Sequence, residues 1–236
     1  MASTLTPQKR LILFPQDKGG IGKSFVATLL YDFLTAHEVR LKTFDLDHSN
    51  STFQRYVPEA EFIDTDVDAD KLGVLDRLIE ADADTVLADN RAAGGEKIRR
   101  FLDDTRLTES QAELGVRLVF VLIAIDDKDA ASQTAELVET YAGRVRWLVV
   151  RNHRDGESLH LYENSQARRA LRELGAGEVS VPCLIEVTRN RLQHANLTVG
   201  KGRFSEKLPI LDRSRCIRFH DLMTGEFLKA GDLLIG

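Results

Sequence analysis

Lys18-Gly19-Gly20-Ile21-Gly22-Lys23-Ser24 decides how the rest of this 236-residue chain is read. An apolar run, Leu11-Ile12-Leu13-Phe14, precedes it, and an apolar-periodic segment from Phe25 to Leu34 follows. Strand, glycine-rich turn and helix, in that order, form the setting of a phosphate-binding loop. A helix N-terminus leaves backbone N–H groups unpaired, and its dipole favours an anion there. Gly19, Gly20 and Gly22 lack the side chains that would hold the backbone away from phosphate oxygens. Lys23 is placed to give a point charge to the β- and γ-phosphates, and the Ser24 hydroxyl to reach Mg2+. The loop reads as a nucleotide site.

Outward from it, hydrophobic patterning alternates between strand and helix. Strands are expected at 9–14, 40–46, 85–89, 116–125, 145–150 and 179–185. Helices are expected at 23–37, 72–81, 96–104, 129–141, 158–174 and 213–228. In the first of these, Val26, Leu29, Leu30, Phe33 and Leu34 fall on one stripe. The continuous apolar run at 116–125 is expected at the sheet centre. Gly175 and Gly177 read as stops for the helix at 158–174. Residues 58–70 and 199–209 read as loops. The prediction is an α/β fold in which one P-loop NTPase domain spans 1–236, its mostly parallel, twisted sheet covered by helices on both faces. No repeat, low-complexity stretch or flexible linker divides the chain.

Composition narrows the class. With 43% apolar residues the chain can bury a core. It has no apolar run of about 18 residues, so no membrane span is expected. Residues 1–10 are short and polar, without a signal-peptide core, which makes the cytoplasm the expected location. Cys183 and Cys216 form no pairing or metal motif, and Cys183, in an apolar run, is expected to be buried. The net charge of −5 hides an asymmetry: residues 144–236 carry 16 Lys and Arg against 11 Asp and Glu. Arg168, Arg169 and Arg172 on one helix, and Arg213, Arg215 and Arg218 on another, could contact DNA phosphates without reading sequence. A solvated helix face explains them as well.

Ligands of open α/β sheets bind at the carboxyl ends of strands. Asp45 and Asp47, Asp89 and Asn152 all fall at such ends. Carboxylates two residues apart can converge on a metal and a water beside a phosphate. An aspartate closing a strand, as Asp89 does, can hold Mg2+ directly or through water.

The loop departs from the ordinary G-x-x-x-x-G-K-[ST] spacing, because Asp17 stands where the first glycine belongs and Lys18 adds a second lysine. That arrangement resembles the deviant Walker A motif of the ParA/MinD family of P-loop ATPases. Asp45-Leu46-Asp47-His48-Ser49-Asn50-Ser51-Thr52-Phe53 resembles the D-x-D-x-x-N-x-T-F switch segment of the TraL-type branch, encoded with plasmid conjugation genes. Asp89-Asn90 resembles the start of that branch's Walker B turn, with Arg91 in place of a small residue. The resemblance implies ATP and Mg2+ as ligands and a homodimer formed across the nucleotide. It implies that Lys18 reaches the partner's nucleotide, that Lys23 cradles phosphate and that Ser24 binds magnesium. Asp47 would orient the attacking water, with Asp45 in the metal's outer shell. Gly19 to Phe25 would line the nucleotide, Asn152 would read adenine and Pro182 would lie beside the base. Phe25 replaces a hydroxyl residue of the family, and Asp17 puts a carboxylate next to phosphate unless it points away.

Three functions follow. The first is a weak, dimerisation-dependent ATPase that partitions, transfers or positions a macromolecular cargo, with nonspecific DNA or a DNA-bound adaptor as partner. The second is an ATP-dependent ligase or amidotransferase on the same fold. The third is a nucleotide-binding module with little hydrolysis.

Overall fold

The computed structural model describes residues 9–47, 51–65, 75–90, 94–156 and 158–236. The first strand, β1 (Lys9–Leu13), leads through the glycine-rich loop into α1 (Lys23–Ala36) and on to β2 (Leu41–Asp45). Then come α2 (Thr52–Tyr56), the two-residue β3 (Glu61–Phe62), α3 (Asp76–Glu80) and β4 (Thr85–Asp89). Two helices, α4 (Gly95–Asp104) and α5 (Leu107–Leu114), precede β5 (Val116–Ala124). The chain continues through α6 (Lys128–Tyr141), β6 (Arg146–Asn152), α7 (His160–Glu163), α8 (Gln166–Glu173) and β7 (Gly177–Val181). It closes with α9 (Glu186–Ala195), α10 (Val199–Gly202), α11 (Ile210–Leu228) and α12 (Gly231–Leu234).

All seven strands form one parallel sheet in the order β3-β2-β4-β1-β5-β6-β7. Alternation along the strands supplies two cores. Ile12, Val119, Val121 and Ile123 face α1, α10 and α11, while Leu11, Leu13, Leu118 and Phe120 face α4, α6 and α8. Helices therefore cover both faces, as burial of an all-parallel sheet requires.

Several expectations change. The strand at 116–124 is interior, but β1 is the middle strand, which puts the loop at the point where strand order reverses. The helix expected at 158–174 is broken at Asn164-Ser165, because the Ser165 hydroxyl accepts the Arg168 N–H at 3.0 Å and starts a new helix. Gly175 has a left-handed φ of 71° and stops α8, whereas Gly177 opens β7. The stretch 199–209 contains α10, capped by Thr198. Residues 58–65 contain β3, and 66–74 lie outside the described residues. Cys183 is exposed: β7 ends at Val181, so the expected burial of this residue in a strand fails.

Candidate functional site

The loop is tied to the sheet before it turns. β1 ends at Leu13, which would leave Ile123 of β5 without a partner on that side. The Gln16 amide replaces the missing strand, accepting the Ile123 N–H at 2.6 Å and donating to its carbonyl at 3.2 Å. Gly20 and Gly22 then adopt left-handed φ values of 70° and 102°, and Gly22 caps α1. A Cβ on Gly22 would also lie 2.6 Å from Asn152 Nδ2, so glycine is required there twice over. The first helical bond runs from Val26 N–H to the Gly22 carbonyl, and the N–H groups of Lys23, Ser24 and Phe25 stand ahead of it.

Lys23 is buried, and its Nζ donates to the Lys18 carbonyl at 2.8 Å. Burial lowers its pKa, while Asp89, Asp17 and Asp47 oppose that fall. Three carboxylates thus share one neighbourhood with one buried ammonium.

Asp45 and Asp89 are register partners at the ends of β2 and β4, and both are fully buried. Asp45 accepts the Asp47 N–H at 2.9 Å and the Gln54 N–H at 2.8 Å. Those bonds fold the turn after β2 and hold α2; burial raises the Asp45 pKa and the two amides oppose it. Among the described residues neither oxygen of Asp89 has a hydrogen-bond partner. Burial pushes its carboxyl up to about 7; the facing Ser24 side chain opposes this without meeting hydrogen-bond geometry. Asn90 is also buried, and neither its Nδ2 nor its Oδ1 has a hydrogen-bond partner among the described residues. A buried carboxylate without donors, beside Ser24 and Lys23, fits a cation held jointly with phosphate. Among the described residues no three His, Cys, Asp or Glu side chains form a metal site by themselves.

Asp17, the departure from glycine, points away from the cradle. It pairs with Arg99 of α4 at 2.7 Å and accepts the Glu96 N–H at 3.2 Å. Arg99 also donates to the Pro15 carbonyl at 3.0 Å, which fastens the root of the loop to α4. Lys18 turns toward α6, its Nζ 2.6 Å from Asp129 and 3.4 Å from Asp127, its N–H on Gln133 Oε1 at 3.0 Å. These contacts hold its pKa above the ordinary lysine value.

Asn152 reaches the site, but its Nδ2 donates to the Ile21 carbonyl at 2.9 Å. Pro182 follows Val181, the register partner of Asn152. Phe25 turns from the loop toward Phe219, at 6.2 Å between ring centroids, and lines a cavity of about 200 Å3 with Thr28, Leu184 and Val199. Asp47 is buried at the base of the turn, while His48, Ser49, Asn50 and Arg91 lie outside the described residues.

Sequence reading missed Arg99, Arg154, Gln133 and the Asp127/Asp129 pair. Only the last carried a signal: an acidic run, Asp126-Asp127-Lys128-Asp129, at the carboxyl end of a strand beside β1. Of the two arginine clusters, Arg168 is paired with Glu178 at 2.9 Å and Arg215 with Asp212 at 2.9 Å; Arg169, Arg172 and Arg218 are exposed. Among the described residues no helix is long and apolar enough to cross a membrane.

No family model matches the chain. It is 27% identical to Protein MobD of Acidithiobacillus ferrooxidans over 221 residues, 90% of this chain and 94% of that protein. It is 24% identical to Protein TraL of Escherichia coli over 215 residues, 85% and 89% of the two chains. A nucleotide-binding protein from Archaeoglobus fulgidus in complex with ADP superposes with a TM-score of 0.51 and 14% identity, covering 80% of this chain and 86% of that one. In its two-lysine loop, its all-parallel sheet and its likeness to MobD and TraL along most of its length, the chain resembles the ParA/MinD-type P-loop ATPases, and most of all their TraL-type branch.

Proposed function

We propose that this chain, as one domain over 1–236, is an ATP-binding and ATP-hydrolysing switch of the ParA/MinD type that dimerises across the nucleotide. It acts in the cytoplasm in plasmid conjugal transfer, partition or positioning of a macromolecular cargo. The observation that carries this reading is Asp89, buried beside Ser24 and Lys23 without a hydrogen-bond donor among the described residues. A purely structural aspartate would be partnered, as its neighbour Asp45 is.

Phosphoryl transfer needs positioning and charge neutralisation rather than covalent help. Ser24 and Asp89 would hold Mg2+, which neutralises phosphate charge when bound. The N–H groups at the start of α1 and the Lys23 ammonium would bind the phosphates. Asp47 would orient the attacking water, and Asp45 would shape the turn that carries Asp47. Lys18 is held by α6 of its own chain through solvent-facing ion pairs, which contribute little to stability. Release to a partner's nucleotide is therefore cheap, and turnover by the monomer is expected to be low. The exposed Arg169, Arg172 and Arg218 leave room for nonspecific DNA or a DNA-bound adaptor.

Lys18→Ala tests the reading. ATP-dependent dimerisation, followed by sedimentation, should disappear, and turnover should fall by about 10³-fold, the scale of a charge supplied in trans. An ATP-dependent dimer of wild-type strength in the variant would contradict it.

A further inference from the structure

We propose that Arg154 is a positioning residue of the nucleotide loop, a role that rests on the nucleotide-site reading and that none of the loop's own motif residues supplies. Arg154 lies just past β6, and its Nη1 donates to the Gly20 carbonyl. Its Nε is fixed by Asp155 at 2.6 Å, which aims the guanidinium. Two residues earlier, Asn152 Nδ2 donates to the next carbonyl, that of Ile21, at 2.9 Å. The segment 152–154 therefore grips two consecutive loop carbonyls.

In a trans peptide the C=O and the following N–H point in opposite directions. Holding the Gly20 and Ile21 carbonyls against 152–154 turns the N–H groups of Ile21 and Gly22 to the other side. Successive N–H groups aimed into one concavity make an anion nest. Glycine freedom alone does not select this orientation. Gly20 has φ of 70°, and glycine has no Cβ to restrict the torsions on either side of it, so its own conformational preference does not fix which way the adjoining peptides face. A reversed peptide would present a carbonyl oxygen to phosphate. Arg154 removes that alternative, and the ligand it prepares the loop for is the phosphate chain of a nucleoside triphosphate.

Its side chain is 39% exposed, so truncation leaves the core intact. The test is calorimetric titration of ATP with Mg2+ into the full chain, as wild type, Arg154→Ala and Arg154→Lys, with melting curves of each nucleotide-free protein. Loss of a hydrogen bond from a charged donor should weaken ATP binding by roughly tenfold or more in Arg154→Ala. Arg154→Lys, which can still donate to the Gly20 carbonyl, should recover part of it, and in steady state KM should rise by more than kcat falls. Wild-type affinity in Arg154→Ala overturns this inference alone. A fall in melting temperature that accounts for the weaker binding, without rescue by Arg154→Lys, also overturns it. Failure of the wild-type chain to bind ATP overturns the nucleotide-site reading itself.

Discussion

The ends of β2 and β4 carry the same residue at the same height in the sheet and use it in opposite ways. Asp45 and Asp89 are register partners with no exposed surface. Asp45 spends both oxygens on backbone amides and so builds the turn that follows it. Among the described residues Asp89 meets no donor with either oxygen, and burial is the largest cause of its raised pKa, with Ser24 and Lys23 opposing it and Asp45 and Asp47 adding to it. Burying a carboxylate costs free energy unless donors or a cation repay it. At Asp45 two backbone amides offset part of that cost within the fold. At Asp89 no such bonds are made among the described residues, and the reading proposed above gives that role to a bound cation.

Substitution should separate the two most strongly at Asp45. Asp45→Ala strands the N–H groups of Asp47 and Gln54, each at a cost of about 1–3 kcal/mol, so a loss of about 2–6 kcal/mol is expected in denaturant melts. Asp45→Asn, which keeps an acceptor, should lose less. A variant as stable as wild type would remove the distinction between the two aspartates.

At Asp89 the sign reverses and depends on pH. Below the ordinary carboxylate range the group is protonated whether the chain is folded or not. As pH rises the unfolded chain releases its proton first, while the fold retains it up to about 7. Nucleotide-free stability should therefore fall across that window. Asp89→Asn removes this group's contribution, leaving those of Asp32 and Asp45: the variant should match wild type near pH 4 and exceed it by about 1–3 kcal/mol at pH 8. Melting curves at the two pH values measure this. An equal offset at both would mean that burial of the charge is not what distinguishes Asp89.

This contrast was only partly legible in the sequence. The loop was legible because glycines, two lysines and a flanking strand and helix have few other uses together. Strand β5 was legible because a continuous apolar run leaves little choice. Helix α9 was not, because only Thr188 and Leu192 of its ten residues are buried and no stripe marks it. The same holds for α5, where burial is confined to Leu107 and Thr108. Asp45 and Asp89 looked alike because a strand-end aspartate shows nothing in sequence of which backbone amides will reach it. Asp17 looked like a liability for the same reason. Its partners, Arg99 and the Glu96 N–H, lie about 80 positions away on α4, and no local pattern announces them. Side-chain roles set by long-range hydrogen bonds are decided by the sheet order, which places β4 and β5 on either side of β1.

Titration of ATP into the wild-type chain and into Asp89→Asn, each with and without Mg2+, tests the central claim most directly. Mg2+ should strengthen ATP binding to the wild type, and this enhancement should be lost in Asp89→Asn while its melting curve shows a folded chain. ATP binding that is absent from the wild type, or an undiminished Mg2+ effect in the variant, would contradict it.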